Sequence, residues 1–471
     1  MSKKNQNYTN RKQNRFQPER MRGNVFVNNS GKQWLPGENG RAAKVERLLR
    51  GAKEEKKEIA GNMAGYKDSG IEYIGQVPKD WEVLRLKNIS NIYAAKEYLF
   101  GEWPVEKNGK PYSPFGEWSS GNEVIITGRV GTIGQYEMLE KNPKKKILIN
   151  DNRLLIRPFT EDYRKKALSH FLFWAMAIVN LNDIITGSAV PLITATSLLK
   201  KRIVVPPLSE QQRIADFLDT KCGILDRTID AVSQQIEDLE KYKKALITKT
   251  VTKGIYKKGE PERAMKDSGV EWIGEVPEEW DVKRNSLNFD IRKTLVGENW
   301  SNMQLLSLTT NGVKNITIDD QVGKRPKTLA TYQIAHKNDI VMCLFDLDAS
   351  AVFSGLCKKN GIISPAYKLL KCKNGMFPPY AEYYFRAVFD GRKYKKYAKS
   401  IRYTISTNDF MHLKMPVPPL AEQQQIADYL DEKCKNINNR VQKRRQQLEW
   451  LKEYKKSLIF DYVTGKKRVE K

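Results

Sequence analysis

The chain repeats itself at long range, and this limits it to folds built from a duplicated unit. Residues 67–75 read KDSGIEYIG and residues 266–274 read KDSGVEWIG, 199 positions later. Each run leads through Val-Pro to a tryptophan, Trp81 and Trp280. A second pair, VPPLSEQQRIADFLD at 205–219 and VPPLAEQQQIADYLD at 417–431, stands 212 positions apart, as do KYKKALI at 241–247 and EYKKSLI at 453–459. Three parts therefore recur in one order, and the stretch between the first and second is 13 residues longer in the second copy (212 against 199). Stacked solenoid repeats recur every 20–50 residues. The much longer period here describes two copies of a domain-plus-helix unit, a pseudo-two-fold chain with two similar but unlike surfaces.

The third part reads as helix. Pro206 and Pro207 precede it, and Ser209 with Gln212 predicts a capping box, for which the second copy offers only Ala421. Leu218, Cys222, Leu225, Ile229, Val232, Ile236 and Leu239 follow at spacings of four and three, a heptad seam. The matching positions are Leu430, Cys434, Ile437, Val441, Arg444, Leu448 and Leu451, broken only by Arg444. Each helix runs roughly 40 residues, about 60 Å. One apolar stripe on a lone helix is marginal in water, so the two copies are expected to bury their stripes against each other as an antiparallel coiled coil. Cys222 and Cys434 are then packed thiols.

Between the repeated parts lie mixed α+β stretches. EVIITGRVGTIGQY, KKILINDNRLLIRPF, DIVMCLF and GIISPAYKLL are β-rich and separated by Gly, Asn and Pro turn signals, with helical stretches near 168–180 and 379–399. The expected fold class is α+β: two globular domains with curved sheets, separated by two long antiparallel helices. The formal net charge of +27 implies a polyanionic partner, nucleic acid by default. Basic residues gather in loops: Lys144, Lys145 and Lys146; Lys324, Arg325 and Lys327; and Arg392, Lys393, Lys395, Lys396 and Lys399 with Tyr394 and Tyr397 interleaved. Such groups neutralise phosphates and fix register, whereas base readout needs polar groups at groove depth. Candidates for the latter are Arg129 and Thr132 in GRVGTIG, and Arg402, Tyr403 and Thr404 in the second half. DNA-binding dimers use two-fold symmetry to read two half-sites; one duplicated chain could read two different ones.

Signs of catalysis are weak. Five scattered cysteines without a Cys-x-x-Cys pair, and three histidines, argue against zinc and fit reduced thiols in a cytoplasm. No secretory signal is evident, and the longest apolar run, 171–179, is too short to cross a membrane. No GxxxxGK[ST] phosphate loop occurs. Phe377-Pro378-Pro379-Tyr380 resembles the Pro-Pro-aromatic part of an adenine methyltransferase motif, but Phe377 stands where a polar group must hold the exocyclic amine, and a helix start explains it better. Asp346 and Asp348 are better read as strand-end polar residues than as a metal pair.

The doubled KDSG-x-E-[YW]-IG-x-VP and VPPL-x-EQQ-x-IAD-[FY]-LD motifs resemble those of type I restriction–modification specificity subunits, over about residues 67–465. The resemblance implies two target-recognition domains, each reading half of a split double-stranded DNA site, held apart by the two helices. It implies a non-catalytic chain docking two methyltransferase subunits, with restriction/translocase subunits completing an endonuclease and adenine-N6 methyltransferase complex. S-adenosylmethionine, ATP and Mg belong to those partners, and no cofactor or metal is expected in this chain. The implied division is 1–65 as a flexible basic extension, 66–206 as the first recognition domain, 207–255 as the first spacer helix, 256–418 as linker and second recognition domain, 419–465 as the second spacer helix, and 466–471 as a basic tail. The extension, rich in Asn, Gln, Lys and Arg with a short helix expected near 42–60, departs from chains that begin near the first KDSG. The resemblance fixes no base-reading residue. The competing readings are a coiled-coil scaffold or nonspecific nucleic-acid-binding protein, which would bind without sequence preference, and a nuclease, which would cut DNA alone.

Overall fold

The computed structural model describes residues 65–95, 124–127, 134–138, 153–159, 168–187, 191–256, 263–310, 312–317, 328–347, 353–373, 375–398 and 403–470, with isolated positions at 26–27, 33–34, 259 and 261. The expected helix near 42–60 lies outside them. The chain divides into two compact units, Met1–Asp216 with Ile459–Lys471, and Phe217–Leu458.

In the first unit, KDSGIEYIG forms the turn of a hairpin between β1 (Tyr66–Asp68) and β2 (Gln76–Pro78). Its residue types are set by the turn. The Asp68 carboxylate accepts from the Gly70 amide at 2.9 Å, the Ser69 hydroxyl from the Ile71 amide at 3.1 Å, and Gly70 sits at φ +63°, where a side chain is disfavoured. β3 (Glu82–Arg85) and β4 (Ser90–Ala95) follow, then β5 (Val124–Thr127), β6 (Tyr136–Met138), β7 (Arg153–Pro158), helices α1 (Ser169–Met176) and α2 (Ala195–Leu199), and β8 (Arg202–Val205), which pairs with β3. The main sheet is antiparallel in the order β4-β7-β5-β6, with α1 burying Phe171, Leu172 and Trp174. Helix α3 (Leu208–Lys253) begins here and continues into the second unit.

The second unit repeats this plan. Its hairpin joins β9 (Met265–Asp267) and β10 (Glu275–Pro277), with the same Asp267 and Ser268 turn bonds. β11 (Asp281–Arg284), α4 (Asn285–Asn288) and β12 (Phe289–Arg292) follow. Next come β13 (Leu305–Thr309), β14 (Gly312–Ile316), β15 (Gln333–Ala335), β16 (Ile340–Met342), β17 (Ser354–Leu356), β18 (Gly361–Ile363) and β19 (Lys368–Cys372). The unit closes with α5 (Pro378–Asp390), α6 (Thr407–His412), β20 (Lys414–Val417) and most of α7 (Leu420–Val463). One sheet runs β12-β19-β16-β17, the connectivity of the first unit's sheet; another runs β14-β13-β18-β15. Leu306, Leu308, Val341, Ile363 and Leu369 form one core cluster here, and Phe289, Leu370, Tyr380, Phe385 and Phe410 belong to another. Pro378 and Pro379 open α5, as the Pro-Pro pair predicted, where their missing N–H groups cost nothing.

The two long helices run antiparallel. Asp226 meets Lys455 at 2.6 Å, Glu240 meets Arg445 at 2.7 Å, and Lys243 donates to Asn438 at 2.9 Å, so partner numbers fall along α7 as they rise along α3. Of the expected seam, Leu218, Cys222, Leu225, Val232, Leu430, Cys434, Ile437, Val441 and Leu451 are buried, whereas Ile229, Ile236, Leu239, Leu448 and Arg444 are half-buried. Each fully buried aliphatic side chain contributes about 1.5–3 kcal/mol, against at most about 1 kcal/mol for an exposed ion pair. The seam therefore supplies the adhesion and the charged pairs help set the register. Burial pushes the Cys222 thiol up to about 11, as a packed rather than reactive group requires.

The capping box is not formed. α3 already starts at Leu208, so Ser209 falls inside the first turn, and the Gln212 side chain donates to Asp216 at 2.8 Å instead of reaching back. The neighbouring glutamine of the motif acts instead. Gln211 donates to the Pro206 carbonyl at 2.9 Å and accepts from the Leu168 amide at 2.9 Å; Gln423 likewise donates to Pro418 and Gly375 and accepts from Phe377, each at 2.8 Å.

Candidate nucleic-acid interface

Each unit builds its variable domain on one clamp. In the first, buried Trp81 donates its indole N–H to Glu210 at 2.9 Å, and Arg468 lies 2.5 Å from Asp80 and 3.7 Å from Glu210. In the second, buried Trp280 donates to Glu422 at 2.9 Å, while Arg263 grips Glu422 with two bonds of 2.6 and 2.8 Å and also pairs with Glu279. An aromatic N–H, two carboxylates and a guanidinium thus fasten each hairpin to the first turn of a long helix. Gly465, at φ +70°, belongs to the first clamp: a Cβ there would lie 2.6 Å from Pro78, and its carbonyl accepts from Tyr66. Such charge-assisted, partly buried bonds are the strong kind, and they hold the variable domains to the helices.

Among the described residues, the richest basic edge follows α5. Gly391 ends that helix and Arg392 turns left-handed at φ +50°, which breaks the helical stretch expected to continue to 399. A short turn then presents Lys393, Lys395 and Lys396. Lys395 lies 4.6 Å above the ring of Tyr403, so two segments singled out from the sequence meet here. Lys393 lies 5.9 Å over Trp272, and Lys396 pairs with Glu271, which raises the lysine and lowers the carboxylate from their ordinary values. The edge is stitched to the end of β16: the Ile405 amide donates to Leu344 at 2.8 Å and the Tyr394 hydroxyl to Leu347 at 3.0 Å. Of four non-glycine residues with positive φ among the described residues, three (Asp346, Arg392 and Tyr403) stand on this edge. Left-handed backbone at such residues costs about 1–3 kcal/mol each and concentrates where a surface must be presented in one shape.

The other sequence candidates are distributed unevenly. Tyr403 is half-buried against the core and anchors the edge, and Thr404 follows it at half exposure. Arg129, Thr132, Lys144, Lys145, Lys146, Lys324, Arg325, Lys327, Arg402 and Lys399 lie outside the described residues. Asp346 follows the end of β16 in left-handed backbone, and Asp348 is outside the described set. Among the described residues no cluster of three or more His, Cys, Asp or Glu could hold a metal, and no helix is long and apolar enough to cross a membrane. Sequence patterns do not single out Glu210, Glu422, Gln211 and Gln423. Their signal lies in the EQQ repeated in both halves, of which only Gln212 enters the predicted capping box.

Comparisons with known proteins agree with this architecture. The family model described as type I restriction modification DNA specificity domain matches residues 78–241 and 310–449, more than half of the chain. The type I restriction enzyme MjaVIII specificity subunit of Methanocaldococcus jannaschii is 24% identical over 436 residues, covering 84% of this chain and 95% of that protein. The putative MjaX specificity subunit of the same organism is 24% identical over 440 residues, covering 84% and 96%. A chain solved in work on complex assembly and conformational transition of the type I R-M system superposes with a TM-score of 0.60 at 15% identity, covering 83% of this chain and 99% of that one, a likeness of fold. The two family matches fall one in each half, as the internal duplication requires, and the chain belongs to the type I restriction–modification DNA specificity family as a non-catalytic, sequence-recognising subunit.

Proposed function

We propose that this chain reads a bipartite double-stranded DNA site with two unlike recognition domains, over 66–206 and 256–418, and places two methyltransferase subunits on it, with restriction/translocase subunits joining the assembly. The observation that carries the reading is the doubled clamp on an antiparallel helix pair: one architecture presented twice, with different variable surfaces. The helices act as the spacer, and curvature of the recognition sheets toward the duplex is part of the same proposal. Loop lysines and arginines at 144–146, 324–327 and 392–396 neutralise phosphates, while Arg129, Thr132, Arg402, Tyr403 and Thr404 are the proposed base-reading group. Each methyltransferase would extrude its target adenine, since that atom is out of reach in a stacked duplex. S-adenosylmethionine, ATP and Mg serve the partners.

The test is co-expression with the cognate methyltransferase subunits, followed by mapping of methylated bases. A split motif is expected, and exchanging 279–417 for the corresponding segment of another specificity subunit should change one half of it. Methylation without a split motif, or a domain exchange that leaves the motif intact, would refute the reading.

A further inference from the structure

Within the second unit an open groove of about 510 Å³ runs between the last turns of α3, the hairpin loop and the turn after α5. Lys244, Lys249, Thr248 and Thr252 line the helix side, Trp272 stands beside them, and Lys393 faces from the turn. The acids nearby are already answered. Asp390, on the groove wall, lies 3.8 Å from Arg386, and Glu271, next to Trp272, is paired with Lys396. Lys253 is committed to the hairpin, donating to the carbonyls of Ile273 and Glu275. Lys249 lies over Tyr256 at 5.4 Å and Lys393 over Trp272 at 5.9 Å, contacts that orient an ammonium without neutralising it. Three positive charges thus converge on one concave surface.

The repeat supplies an internal control. At the positions matched by the 212-residue offset, Lys241 becomes Glu453, Thr248 becomes Phe460 and Lys249 becomes Asp461. Lys244 keeps its charge as Lys456, but that lysine is bridged to Glu453 at 2.9 Å. Packing of the helix cannot require Lys249, because the other copy of the same helix carries an aspartate at that position.

We propose that this groove holds backbone phosphates of the bound duplex, so that the second half grips DNA nonspecifically in a way the first half does not. The inference rests on the DNA-reading function proposed above and assigns α3 a phosphate contact in addition to its spacer role. Phosphate contacts carry no sequence information but fix register, and each released counterion steepens the salt dependence of binding by about 0.9 in log–log slope.

The experiment uses the complex with methyltransferase subunits and compares Lys244→Gln/Lys249→Gln/Lys393→Gln with a charge-matched control, Lys435→Gln/Lys443→Gln/Lys456→Gln. Binding to site-bearing and to random duplexes is followed by anisotropy between 50 and 200 mM salt. The groove variant should flatten the slope by about 2–3 on both duplexes, leave the methylated motif unchanged, and differ from the control, which should stay near wild type. An unchanged slope, or an equal fall in the control, overturns the proposal. So does loss of the methyltransferase subunits from the groove variant, which would make the groove a protein-docking face. Absence of any sequence preference in the wild-type complex would instead overturn the DNA-reading function itself.

Discussion

At the residue scale, two partly buried carboxyl groups have opposite roles. Glu422 is satisfied from two sides, by the Trp280 N–H and by Arg263. Removing it strands an indole N–H with no exposure, whereas Arg263 retains partial access to water, so most of the cost belongs to the tryptophan. Glu422→Ala should destabilise by about 2–3 kcal/mol in urea unfolding followed by circular dichroism. In the double variant with Trp280→Phe the losses should fall short of the sum, because the orphaned donor is gone; strict additivity would show that the bond is not the source. Glu382 is less well supported: a hydrogen bond from Ser354 and the charge of Arg386 favour its carboxylate but do not offset its burial. Burial pushes its carboxyl up to about 7, and one oxygen lacks a partner. A carboxyl whose folded value is raised contributes stability that is complete below its unfolded value and is lost as pH climbs through the folded one. The second unit should therefore weaken between about pH 4.5 and pH 7 by on the order of 3 kcal/mol. Glu382→Gln should flatten that slope, and a variant retaining the wild-type pH profile would place the titration elsewhere.

At the element scale, the parts that follow from local rules were legible and the parts that follow from tertiary closure were not. KDSG and its copy prescribe a turn, because Asp, Ser and Gly each meet a backbone demand within two residues. The heptad spacing prescribes the paired helices, and the double proline prescribes the start of α5. The clamp guanidinium could not be found this way. Arg263 precedes its hairpin, but the residue playing the same part in the first unit is Arg468, supplied from the far end of the chain. No periodicity links the two. The EQQ motif was legible as a repeat but misread in its chemistry, since a Ser-x-x-Gln pattern looks alike whether glutamine bonds backward to a cap or forward to Asp216. In the sequence the basic edge reads as a charge run at 392–399 and a separate base-reading group at 402–404; only the left-handed turn at Arg392 and the stacking of Lys395 on Tyr403 unite them.

At the scale of the whole molecule, the proposed spacer role has a consequence for DNA geometry. Asp226 faces Lys455 and Lys243 faces Asn438, so the place where a residue meets its own repeat partner, 212 positions later, falls near Gln235 and Gln447. Seven residues inserted after each of these two would lengthen both helices at one level and preserve the heptad seam. The added rise is about 10 Å, or roughly three base pairs at 3.4 Å each. Methylation mapping should then show a split motif whose unspecified middle has grown by about three base pairs. Three base pairs are less than a third of a helical turn, so the half-sites would also swing roughly 100° around the duplex axis, and affinity should fall. Three inserted heptads add about 31 Å, close to one DNA turn of 34–36 Å, and should restore much of the binding with a middle about nine base pairs longer. A linker that merely tethers two independent readers would show no such loss and recovery, and an unspecified middle of unchanged length would show that the helices do not set the distance.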